Sequence, residues 1–154
     1  MYFWKIEKLK EDIKNKTFSE KDRFIYAFIY IILSAVLMES PKWFPTENMN
    51  IWVHIDSISM VLIIAVGTLF AFNANGGNSG NDFLGRYFSI LFVVSIRFIP
   101  LIIPIAILNV GYFFIVLDGN EELSNSGFEA FTFFIWSVAI YWRTCKHIGD
   151  LKNS

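Results

Sequence analysis

Two arginines frame the chemistry open to this chain. Arg97 is the only charge in the 31 residues from Tyr87 to Leu117, and Arg86 lies eleven residues before it. Eleven residues are three turns of about 3.6, so both belong to one helix face. A guanidinium inside so apolar a run persists only if it pairs, faces a wet cavity or reaches an interface. It could line an anion or proton path or a ligand cavity. It could equally fix helix register, donating to the carbonyls that Pro100 and Pro104 free at Ile96 and Pro100. Antiparallel geometry proposes its partner. If two helices leave a loop at about Asn73 and Asp82, residues at equal depth sum to about 155, which sets Asp56 within a turn of Arg97. Arg97 with Asp56 is the expected intramembrane polar pair, and breaking it would cost about 3–5 kcal/mol by stranding a charge.

The second candidate is the loop Asn73-Ala-Asn-Gly-Gly-Asn-Ser-Gly-Asn-Asp82. Its asparagines and glycines tolerate left-handed backbone, and successive amides before a helix can form an anion-binding nest. Asn75, Gly76, Gly77, Gly80, Asp82 and Arg86 are therefore the expected loop site for a phosphate headgroup, a nucleotide or an acidic segment. The plainer reading is a tight turn, with Asn81 or Asp82 as N-cap and Arg86 as a basic anchor. The loop fits neither GxxxxGK[ST] nor GxGxxG, and its GGxxGxD departs by one residue from a calcium-binding GGxGxD.

Other chemistry is thin. His54 and His147 fall at opposite ends of the expected fold. Cys145 stands two residues from His147 without an orienting third group, and Glu121 and Glu122 sit in a short acidic loop. No catalytic residue, metal site or cofactor is expected, and one cysteine excludes an intrachain disulfide framework.

The elements that must position these residues read as membrane spans. The chain is 55% hydrophobic and 18% aromatic over 154 residues, with mean hydropathy +0.47, more than a soluble domain could cover with polar surface. A net charge of −1 supplies no basic field for nucleic acid. About 20 apolar residues cross a hydrocarbon core of about 30 Å. The expected fold is an all-α integral membrane protein with four transmembrane helices and an N-terminal amphipathic interfacial helix. It forms one domain over 1–154, with an arm at 1–21 and spans near 22–39, 54–73, 83–115 and 127–143. Ser19 with Asp22, and Ser126 with Glu129, have capping-box spacing at the starts of the first and last spans. In the arm, Tyr2, Ile6, Leu9 and Ile13 recur on one face, as in a helix lying on a lipid surface or docking a cytoplasmic partner.

Lysine and arginine set the orientation. Seven fall in the arm and at its junction with the first span, Arg86 follows the second span, and Arg143, Lys146 and Lys152 form the tail, whereas the first loop has only Lys42 and the third has none. Both termini and the Asn-Gly loop are thus expected in the cytoplasm, a parity that four spans satisfy. Splitting the long third span at its prolines would leave halves too short to cross, so one tilted or kinked helix is expected, with a re-entrant break near Pro100 as the alternative. The first span lacks a small-x-small site after it and reads as an uncleaved anchor.

The segment from Phe72 to Tyr87, with Val93, Val94, Ile96 and Arg97 after it, resembles one shared by small bacterial four-span inner-membrane proteins of uncharacterised activity. The resemblance implies a bacterial inner-membrane address and roles for Asn75, Gly76, Gly77, Gly80, Asp82, Phe83, Arg86 and Arg97. It implies no reaction. The expected function is non-enzymatic interaction of helix faces with a partner membrane protein, of immunity or accessory type, by a monomer or homo-oligomer in the lipid bilayer. The alternative is an oligomeric pore or membrane-perturbing effector lined by Arg86 and Arg97, and a lipid-headgroup enzyme is a distant third. As structural glue, Arg97→Ala would lower accumulation; as pore lining it would abolish activity alone.

Overall fold

Capping, amphipathicity and proline placement explain most of the element boundaries. The computed structural model of the protein describes residues 2–43, 51–116 and 127–152, with the backbone alone for 35–43. All regular structure among the described residues is helical. The side chains of Glu39 and Lys42, the acidic loop with Asp118, Glu121 and Glu122, and the cap expected from Ser126 lie outside the described residues.

Helix α1 runs Ile6–Lys14 and ends where Lys16 takes a left-handed φ of 57°. Nine residues are too few for a helix to persist alone, since isolated helices below about 12–15 residues are marginal. Packing supplies the stability. Ile6, Leu9 and Ile13 are all but completely buried, at roughly 1.5–3 kcal/mol per fully buried aliphatic side chain. The helix lies against the helix at Phe83–Phe98, so its apolar face rests on protein rather than on lipid.

Helix α2, Glu20–Trp43, opens with the expected capping interaction: the Asp22 amide donates to the Ser19 hydroxyl at 3.2 Å, and that hydroxyl donates back to the Asp22 carboxylate. Helix α3 is Ile51–Ala74, and α4, Phe83–Phe98, follows a 3-10 turn at Gly77–Ser79. A second 3-10 turn, Ile99–Leu101, joins α4 to α5, Ile102–Ile115. Pro100 sits in that turn and Pro104 in the first turn of α5, where a missing amide leaves no hydrogen bond unmade. The chain therefore passes through both prolines as one rod, without a re-entrant break. Helix α6 is Gly127–Gly149.

Side-chain pairs fix the topology. Trp52 lies beside Gly127, Met60 beside Ser137, and Gly67 beside Tyr141 and Cys145, so α3 and α6 run parallel. Tyr112 stacks on Phe128, Asn109 bonds Thr132 and Arg86 reaches Leu151, so α4 and α5 run antiparallel to α6. Tyr26 on Phe92 and Tyr30 on Phe88 seat α2 against α4. The N-terminal arm, the Asn-Gly loop and the C-terminal tail consequently share one end of an up-down bundle.

Among the described residues two helical stretches, Ile51–Ala74 and Phe83–Ile115, are long and apolar enough to cross a membrane. The other two long helices, α2 and α6, have 24 and 23 residues but carry charge at their ends near the loop: Glu20 to Arg23 in α2, Arg143 and Lys146 in α6. The core is lopsided. Tyr87 and Ile90 to Val94 of α4 are buried with Tyr26, Ile148, Leu151 and the α1 face, whereas most of α3 and α5 presents apolar side chains outward.

Candidate functional site

The polar centre of the loop end is Arg86, 5% exposed and one turn into α4. Its Nη1 donates to the Asn75 side-chain oxygen at 3.2 Å and to the Leu151 carbonyl at 2.8 Å. Asn75, fully buried, donates in turn to the Asn81 carbonyl at 3.1 Å. One guanidinium thus ties the loop to the end of the tail. Charged donors on neutral oxygens make bonds of about 1.5–3 kcal/mol, and an abandoned buried partner costs a similar amount.

Loop geometry explains its composition. Gly76 has φ of 107°, available to glycine at little cost. A Cβ on Gly80 would run into the Asn75 carbonyl and amide. The amides of Gly76, Ser79 and Gly80 all donate to loop carbonyls, so these three do not point at an external anion. Asp82 occupies the N-cap position of α4 in a left-handed conformation that aspartate tolerates, without a side-chain capping bond. Its carboxylate lies 3.1 Å from Arg23 Nε in α2, close enough for an ion pair although the N–H is not aimed along it. The structure therefore brings Asn75, Gly76, Gly80, Asp82 and Arg86 together as a structural clasp. Gly77, with φ of 58°, completes the turn.

Arg97 has a different surrounding. Although it shares a helix face with Arg86, the tail that covers Arg86 does not reach it, and its side chain is exposed. It lines an open cavity of about 290 Å³ with Val94, Phe98, Leu101 and Arg143 of α6. Among the described residues Arg97 has no salt bridge.

Asp56 is not at Arg97. It lines a cavity of about 170 Å³ at the opposite end, with Trp52, Glu129 and Phe133. The depth arithmetic holds near the loop, where Thr68 bonds Tyr87 and Phe72 packs on Phe83. Further from the loop the arithmetic drifts, and the two residues end at different depths. Helix α3 packs chiefly on α6, where Asp56 borders Glu129 and Phe133, whereas Arg97 borders Arg143, ten or more residues further along that helix.

A clasp at the tail was not expected from the sequence. Lys10 Nζ lies 2.9 Å from both Glu7 and Asp150. Burial would lower the Lys10 pKa, but those two bonds outweigh it and raise it. The bond from Lys10 holds Asp150 below its ordinary value. His147, 7% exposed beyond the expected last span, has its Nδ1 3.8 Å from Asp150. Burial, then the charges of Lys10 and Arg143, lower its pKa. The only sequence signal was Lys10, at the margin of an otherwise apolar face.

Within the bundle, Thr68, Tyr87 and Tyr141 form a hydroxyl chain at 2.9 and 3.4 Å, and Asn109 meets Thr132 at 3.3 Å. The Cys145 thiol faces the Gly67 carbonyl at 3.7 Å, a packing contact rather than a catalytic one. His54 is exposed at the end away from the clasp. Among the described residues, no three potential metal ligands of His, Cys, Asp or Glu type come together.

A groove of about 620 Å³ between α3 and α6 is lined by apolar side chains, among them Leu62, Val66, Phe70, Phe134, Val138 and Trp142. No family model matches this chain, and no curated protein or solved structure matches it either.

Proposed function

We propose that this chain is a four-span bacterial inner-membrane protein with both termini cytoplasmic, acting without catalysis by laying its helix faces against another membrane protein, as an immunity or accessory protein does. The carrying observation is the division of its surface. Polar groups at the loop end bond one another, while α3, α5 and α6 present exposed apolar side chains. In a bilayer, such faces associate through packing and small residues rather than hydrophobic expulsion from water. The open α3 and α6 groove offers packing depth for a partner transmembrane helix.

A pore keeps one supporting observation, the exposed Arg97, but loses Arg86, which is turned inward. The test combines a photo-crosslinker at Val66 or Val138 with membrane potential on induced expression. A discrete crosslinked membrane protein, with the potential unchanged, is expected. Depolarisation by wild type that Arg97→Ala abolishes at matched protein level would replace partner binding with the pore.

A further inference from the structure

We propose that Arg97 and Arg143 form a binding site for the phosphate of an anionic phospholipid headgroup. The proposal rests on the membrane reading above but not on a protein partner. Arg97 of α4 and Arg143 of α6 line the same cavity of about 290 Å³, whose other walls are Val94, Phe98 and Leu101. Like charges so placed repel, and among the described residues neither has a carboxylate in salt-bridge range. A bound anion turns that repulsion into attraction. Guanidinium is suited to phosphate, since its planar fork donates two parallel hydrogen bonds.

The surroundings favour a lipid source. Val94 is buried and gives the cavity an apolar floor, whereas Phe98 and Leu101 continue onto the exposed apolar surface of α5. The headgroup would meet the arginines while its acyl chain follows that surface. Position also fits. Arg97 lies 18 residues before Ile115, or about 27 Å along a helix, comparable with a hydrocarbon core of about 30 Å. If the far end of α5 meets one interface, Arg97 meets the other, on the side carrying the basic arm. Exposed Phe3 and Trp4, with Phe3 against buried Phe92, place aromatic rings just below the same level, as at a membrane boundary.

The experiment reconstitutes the full chain in nanodiscs of phosphatidylcholine alone or with phosphatidylglycerol. Arginine modification by a dicarbonyl reagent is read by peptide mass spectrometry, and integration is scored separately by co-flotation. Phosphatidylglycerol should protect Arg97 and Arg143 several-fold more than Arg23, whose pairing with Glu20 and Asp82 makes it the control for general surface charge. Arg97→Gln with Arg143→Gln should abolish the thermal stabilisation by that lipid. Equal modification in both membranes, in an integrated protein, overturns the proposal even if the double variant does not fold. Protection by inorganic phosphate in phosphatidylcholine discs, without a phosphatidylglycerol effect, overturns the lipid source and assigns a soluble anion. Failure to co-float with either membrane overturns the site together with the membrane reading.

Discussion

Arg86 and Arg97 show how the same residue type acquires opposite tasks three turns apart. Arg86 is enclosed because the tail folds back and presents the Leu151 carbonyl, a contact across 65 residues. Arg97 lies beyond its reach. The sequence displays both side chains and their shared face, but the covering segment is set by long-range packing that no local pattern encodes. Of the two sequence readings of Arg97, only the glue reading gave it a stabilising role, and the geometry gives that role to Arg86 instead. Arg86→Ala removes the donor to the Leu151 carbonyl and strands the buried Asn75 oxygen, at about 1–3 kcal/mol, and should lower both thermal midpoint in detergent and accumulation. Arg97→Ala should leave both near wild type. Thermal unfolding of the two variants side by side checks this, and a larger loss for Arg97→Ala would contradict the assignment.

Helix starts were legible where a local cause acts, as with Ser19 capping α2 and the glycines turning the Asn-Gly loop. The destination of α1 was not. An amphipathic face identifies something apolar to cover without telling lipid from protein, and here it covers α4. Its mooring to the tail responds to pH. His147 is held below the ordinary imidazole value of 6.5 by burial and by Lys10 and Arg143. Between the two values the unfolded chain binds more protons, so this contribution is complete above 6.5 and is lost as pH falls through the folded value. Asp150, also depressed, is lost only at lower pH, through a value below its ordinary 3.8. Hydrogen exchange of residues 2–18 should therefore rise from about pH 7.5 to about pH 5.5, within the range where histidine titrates, and His147→Gln should remove the rise beyond the intrinsic pH dependence. Between α3 and α6 the limiting feature is Gly67, where a Cβ would overlap the Tyr141 ring. Gly67→Ala must displace that ring from Tyr87, and overpacking of this kind costs about 1–3 kcal/mol. A lowered thermal midpoint that Tyr141→Leu partly restores would locate the strain there.

For the molecule as a whole, geometry and charge address the same question by independent routes. Hydrogen bonds from Lys10 to Asp150 and from Arg86 to Leu151 gather the arm, the Asn-Gly loop and the tail at one end. The same three regions hold eleven of the thirteen lysines and arginines. In a membrane, this coincidence predicts a single sidedness, because basic flanks remain in the cytoplasm. Two of the four long helices meet the span criterion by themselves, while α2 and α6 bring charged ends to the basic side. That they cross as well is proposed from packing: α2 lies along α4 and α6 along α3, which belong to the two stretches apolar enough to span. Topology reporters fused after residues 46, 78, 120 and 154 should alternate outside, inside, outside, inside. A reporter at 120 on the same side as one at 78 would remove the crossing between them, and with it the four-span arrangement and the inner interface to which Arg97 and Arg143 are assigned.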